Sequence, residues 1–290
     1  MLADAIRAET WRLSKNTATV FWSVVFLPVM GLVMSVIGNV FLKSNAGAIT
    51  VNGQTPPELA QMLTGEPIRV IETVITSVGD MANPAVLLFM LIGAATLYSG
   101  DYRWETWRLI SARNSRANLL LGKVATMGLL VLLAMLVLLA GEIAQTVSKA
   151  AILGRAMDWT VDANAAGRFA GLFGLSWLAI MQFTMVGLLI AVMSRSLLAA
   201  LFVPIVVGAA QALSPSTLEK MGIAPDGWIA ALVNPGQAFA YLKASVTGGL
   251  AAQGLPDQAL LKGAVSAALW LLWPLFAALA WFQRQDLSKE

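Results

Sequence analysis

The densest group of residues able to do chemistry lies between Asp101 and Asn118. There Arg103, Trp104, Glu105, Trp107, Arg108, Ile110, Arg113 and Arg116 interleave charge with large apolar side chains. This mixture suits an amphipathic helix at a water–membrane boundary. Aromatic and Arg side chains are also the usual anchors of protein interfaces. The chemistry on offer is therefore recognition rather than bond-making. Elsewhere, Ser35, Asn39, Glu142 and Gln182 are polar residues within apolar runs and are candidates to line a transport pathway. Ser176 and Thr184 share that pattern, and hydrogen bonding between neighbouring helices uses the same residue types. Lys123 sits near one end of its apolar run and is expected to snorkel to the interface. Glu142, near the other end, is expected to reach water on the far side.

What is missing narrows the chemistry further. The chain has no His and no Cys, which removes the commonest general base, the commonest metal ligand and all thiolate chemistry. It has no phosphate-binding loop: Gly122-Lys123 is followed by Val124 inside an apolar run. No catalytic residue, cofactor site or metal site is predicted. A membrane-embedded enzyme would need a nucleophile with its base, convergent acids or a metal. An ion-coupled transporter would call for charged or carbonyl-lined sites near the membrane midplane. Both are the competing readings, and neither pattern is found.

The elements that must carry these residues are membrane spans. Of 290 residues, 58% are hydrophobic and 12% charged, whereas a soluble domain carries about 25% charged residues. Six apolar runs, at 19–41, 81–100, 119–145, 169–193, 197–213 and 264–281, approach or exceed the length needed to cross a bilayer. The expected fold is an all-α integral membrane domain occupying 1–290. Residues 1–17 form an N-terminal interfacial helix with Leu2, Ile6 and Leu13 on its apolar side, and residues 101–118 form a second surface helix. The fourth and fifth spans meet at a tight turn, Ser194-Arg195-Ser196. The 43–80 loop shows no folded domain. Residues 214–263 alternate turn signals, including Ser214-Pro215 and Asn234-Pro235-Gly236, with apolar pieces too short to cross. Such pieces enter a membrane only when packed against other protein.

Lys and Arg are denser near the span ends on the amino-terminal side, which places both termini in the cytoplasm. No cleavable signal peptide is evident, because the first apolar run is long enough to remain as a span.

The stretch from Tyr98 to Lys123 resembles the cytoplasmic segment of ABC-2-type permeases, the membrane-spanning subunits of bacterial ABC exporters. Glu105, Thr106, Leu109-Ile110, Ser115-Arg116 and Gly122-Lys123 carry the match, with Asn114 standing where Pro is common. The order of elements is similar along the whole chain. The resemblance implies that 101–118 is a coupling helix and that 214–263 forms re-entrant outer helices broken at Asn234-Pro235-Gly236. It implies two copies of a separate ATP-binding subunit, which would hold ATP and Mg, together with a second permease copy or a related permease. Arg103, Trp104, Glu105, Trp107, Arg108, Ile110, Arg113 and Arg116 would couple this chain to that ATPase. Membrane lipid is an expected partner and nucleic acid is not; the expected location is the bacterial inner membrane.

A reporter fused after Glu290 and another inserted within 44–64 should read opposite sides of the membrane. The same side from both would rule out the six-span topology.

Overall fold

A computed structural model describes residues 1–45, 65–104, 106–111 and 114–286. The elements in chain order are α1 (Leu2–Lys15), α2 (Thr17–Asn45), β1 (Ile68–Arg69), α3 (Val70–Gly79), α4 (Pro84–Arg103), α5 (Trp107–Ser111) and α6 (Arg116–Leu153). They continue with β2 (Met157–Asp158), α7 (Ala165–Ser194), α8 (Leu197–Lys220), α9 (Trp228–Val233), α10 (Pro235–Thr247), α11 (Gly249–Gln253) and α12 (Ala259–Arg284). Six of these helices, α2, α4, α6, α7, α8 and α12, are long and apolar enough to cross a membrane. The chain is a multi-pass, all-α membrane protein.

The helix ends are set by capping rather than by the loss of apolarity. Asn83 accepts from Val86 N at 3.1 Å and Pro84 opens α4, where a missing N–H costs nothing. Ser115 caps α6, which runs on until Gly154 closes it in the left-handed conformation, φ 67°. This helix has 38 residues, about 57 Å at 1.5 Å per residue, so it extends well beyond a hydrocarbon layer of about 30 Å. The expected tight turn after α7 is present, with Arg195 at φ 56° and Ser196 capping α8. Ser214-Pro215, in contrast, is not a turn. Helix α8 continues through it to Lys220, and Ser214 Oγ donates to Gln211 O at 2.8 Å. Gln211 O is the carbonyl that a proline at 215 leaves without its helical N–H.

Helix α7 is the axis of the bundle. Its most apolar stretch is 72% buried, against 17% for α2. It packs against α3, α4, α8, α10 and α12, while α2 lies along α6. In lipid, helices associate largely through close van der Waals contact at small residues. Ser23, in a π-helical turn of α2 (Phe21–Val25), meets Gly93 of α4, where an added Cβ would lie 2.8 Å from its Oγ. Its hydroxyl donates to Phe89 O at 3.1 Å.

The end opposite the termini has more structure than the sequence reading allowed. Helix α3 forms within the loop after α2, and β1 and β2 pair in parallel, Ile68 opposite Met157. Ser176 Oγ of α7 donates to Val78 O at 2.7 Å, and Lys243 Nζ of α10 donates to Gly79 O, so two side chains cap the carboxyl end of α3. Arg168 forks onto both carboxylate oxygens of Glu72 at 3.1 and 2.9 Å, and this hydrogen bonding holds the Glu72 carboxyl below its ordinary pKa. The helices α9 and α10 pack on α12, where Trp270 Nε1 donates to Leu232 O at 2.8 Å.

At Gly263 of α12 an added Cβ would lie 2.9 Å from the backbone oxygen of Ala238, whereas at Gly38 of α2 it would meet nothing within 4 Å. Gly263→Ala should therefore lower the melting temperature of the purified chain, by an overpacking cost of about 1–3 kcal/mol. Gly38→Ala should be neutral or stabilising, since Ala is the better helix former by up to about 1 kcal/mol. Equal behaviour of the two variants would refute the close approach of α10 to α12.

Candidate functional site

Both terminal segments meet at one end of the bundle, and four charged side chains from three helices converge there. Lys123 of α6 is fully buried, and its Nζ lies 2.6 Å from Asp101 Oδ2 and 3.4 Å from Glu9 Oε2. It also donates to Leu97 O at 2.7 Å. Arg12 of α1 reaches Asp101 Oδ1 and Glu9 Oε2, each at 2.6 Å. Thr106, in the segment after α4, donates to Asp101 Oδ1 at 2.5 Å. Two cations and two carboxylates thus cancel, and Asp101, itself fully buried, accepts from three donors. Burial works against the charge of Arg12, but its hydrogen bonds to Asp101 and Glu9 more than offset this and hold its pKa above the ordinary value.

Local packing places each group. The buried face of α1 is Ala5, Glu9 and Leu13, one residue every helical turn, which corrects the expected Leu2–Ile6–Leu13 face. Ala5 approaches α6 at Gly122, where an added Cβ would lie 2.9 Å from Ala5 Cβ. That contact sets Glu9 one turn further along α1, over Lys123. Lys123 was expected to snorkel; instead its charge is neutralised in place, which spares it the path to the surface.

The short helix α5 sits on this cluster. Trp107 is fully buried, with its ring centroid 5.3 Å from Lys123 Nζ, 4.5 Å from the Phe282 ring and 5.5 Å from the Tyr102 ring. It therefore anchors the segment to its own chain and is no surface anchor, a correction to its expected role. Trp104 is 72% exposed and stacks with Arg103, whose Cζ lies 5.3 Å from the ring centroid. Ile110 is half-buried against the core. Arg116 donates to Phe282 O, Gln283 O and Gln285 O at 3.1, 3.1 and 2.6 Å, and so holds the carboxyl end of α12. Glu105 and Arg113 lie outside the described residues, as does the side chain of Arg108. The span 101–118 is not one surface helix: α4 ends at Arg103, α5 has five residues, and α6 begins at Arg116.

The four candidate pathway residues are not brought together. Ser35 accepts from Asn39 Nδ2 at 3.2 Å within α2. Glu142 lines a cleft of about 260 Å³ at the opposite end with Pro28, Asp80 and Gln145, and none of the other three candidates lines that cleft. Gln182 is buried in α7, with Oε1 lacking a hydrogen-bond donor among the described residues.

Comparison of this chain with protein-family models, with curated proteins and with solved structures gives no match in any of the three.

Removing one partner of a buried ion pair leaves an uncompensated charge, at a cost of about 3–5 kcal/mol. Lys123→Met and Asp101→Asn should each lower the melting temperature of the purified chain sharply, and the double variant should recover much of the loss. Strictly additive effects would show that the pair is not coupled.

Proposed function

We propose that this chain is the membrane-spanning subunit of an ATP-driven exporter of the ABC-2 type, with ATP and Mg held by two copies of a separate ATP-binding subunit. The termini and α5 then face the cytoplasm, the membrane is the bacterial inner membrane, and a second permease copy or a related permease completes the assembly. Helices α9 and α10 would be its re-entrant outer elements.

The observation that carries this reading is the construction of the connection between α4 and α6. A short helix there is fastened by its buried Trp107 and by Thr106 to a neutral charge cluster shared with α1. Arg103 and Trp104 remain exposed beside it. A motor domain moves a permease only if it binds two permease states unequally. A fastened connection with an exposed aromatic grip meets that need, because displacement of α5 is delivered to α1, α4 and α6 together.

The reading separates the two tryptophans by experiment. Trp104→Ala should leave the melting temperature unchanged and weaken co-purification of the proposed ATP-binding subunit. Loss of an interface anchor worth about 2 kcal/mol corresponds to roughly 30-fold weaker binding. Trp107→Ala should lower the melting temperature instead. If no ATP-binding subunit co-purifies with the wild-type chain, and reconstituted vesicles show no ATP-dependent transport, the proposal fails.

A further inference from the structure

A cleft of about 380 Å³ opens beside the charge cluster, between the carboxyl end of α1, the last turns of α4 and the start of α8. Its polar lining includes Arg12, Asn16, Thr96 and Arg103, its apolar wall includes Leu97 and Leu197, and Trp104 also lines it. We propose that this cleft binds the phosphodiester headgroup of an anionic membrane phospholipid, with the lipid's glycerol and upper acyl chain against the leucine wall.

Charge, depth and shape each support this assignment. Asp101 is present in the lining, but its carboxylate is already engaged by Lys123, Arg12 and Thr106. Among the described side chains at the cleft and its cluster, Arg12, Arg103 and Lys123 stand against Glu9 and Asp101, an excess of one positive charge. Arg103 has no carboxylate partner among the described residues, and its guanidinium is held over the Trp104 ring. Arg12 keeps 45% of its side chain exposed while its two terminal nitrogens make the ion pairs. Guanidinium groups match phosphate oxygens in geometry and charge.

Depth follows from the length of α4. Pro84–Arg103 has 20 residues, about 30 Å of helix, which equals the thickness of the hydrocarbon layer. The cleft at its carboxyl end therefore opens at the headgroup level, where Trp side chains also concentrate. The apolar wall, Leu13, Leu97 and Leu197, lies in the same cleft as the two arginines. A free phosphate ion would use the arginines and leave that wall bare; a phospholipid uses both. The inference goes beyond the transport reading and does not depend on it, since it needs only this chain and a bilayer.

The test is native mass spectrometry of the full-length chain, delipidated in detergent and titrated with phosphatidylglycerol or with phosphatidylcholine of the same acyl chains. Phosphatidylglycerol should bind more tightly. Arg103→Gln should weaken that preference about fivefold, the effect of removing one cation near an anionic headgroup. Arg103→Lys should restore most of it, and Arg7→Gln, which removes a charge from another face of α1, should leave it unchanged. Melting temperatures of all variants establish that they are folded. Equal binding of the two lipids, or equal effects of Arg103→Gln and Arg7→Gln, would overturn the proposal. Displacement of phosphatidylglycerol by inorganic phosphate in excess would overturn the lipid assignment in favour of a free anion.

Discussion

Lys123 is a full positive charge with no exposed surface, in a helix otherwise built to sit in lipid. A charge at such a site is tolerated only when it is paired and hydrogen-bonded. Asp101 and Glu9 meet that condition, but they are themselves buried and need more cation than one ammonium supplies. Arg12 provides it, because α1 lies along α6 with Ala5 seated at Gly122 and so brings the guanidinium within reach of Asp101 on α4. The placement of the amino-terminal helix is thus dictated by electrostatic neutrality. Thr106 then ties the connecting segment to the same carboxylate, and Trp107 closes the cluster from the side of α12.

The opposite end is secured by different means. No buried charge cluster of this kind occurs there among the described residues. The last carbonyls of α3 are held by Lys243 and Ser176, and Lys262 of α12 donates to Asp226 O, in the turn before α9, at 2.7 Å. Cations at helix carboxyl ends satisfy orphan carbonyls and the helix dipole together. Lys243 loses some basicity to burial, with the nearby Asp80 opposing that trend. Arg69, Asp162, Arg168 and Glu72 add an ion-pair network at this end, but a largely exposed one, so the two ends of the molecule differ in how deeply their paired charges are buried.

Much of the layout could be read from the sequence, because crossing a bilayer demands long apolar runs and nothing else produces six of them. The tight turn at Arg195 and the break at Asn234-Pro235 were also legible from local residue types. Helix ends were not, since caps such as Ser115 and Gly154 act outside the apolar run that marks a span. Ser214-Pro215 misled because a proline's cost depends on whether a neighbouring hydroxyl takes over the stranded carbonyl. Helix α3 was missed because its ten residues are too few to announce themselves as a span. At the candidate site, the composition of 101–118 marked the right segment, but not which tryptophan faces inward. Three residues apart on one helix, Trp104 and Trp107 would share a face; α4 ends at Arg103, so they point to different environments. The pairing of Glu9 with Lys123 spans more than a hundred residues, that of Arg12 with Asp101 nearly ninety, and neither has a local signature.

The contrast in packing connects these features to movement. The most apolar stretch of α7 is largely buried, while those of α2, α8 and α12 are each less than a quarter buried. Lipid-facing helices shift at low cost, because one apolar neighbour replaces another. Helix α2 packs chiefly on α6 and joins α1 through Asn16, whose backbone leaves the helical region at ψ 75°. Its side chain restarts the helix by accepting from Thr19 N at 3.2 Å. A displacement imposed on the charge cluster therefore reaches α2 by two routes, along the chain through Asn16 and across the contacts of α2 with α4 and α6. The buried charges tie α1, α4 and α6 together at the terminal end, and α2, with little of its apolar stretch buried, is held mainly along α6.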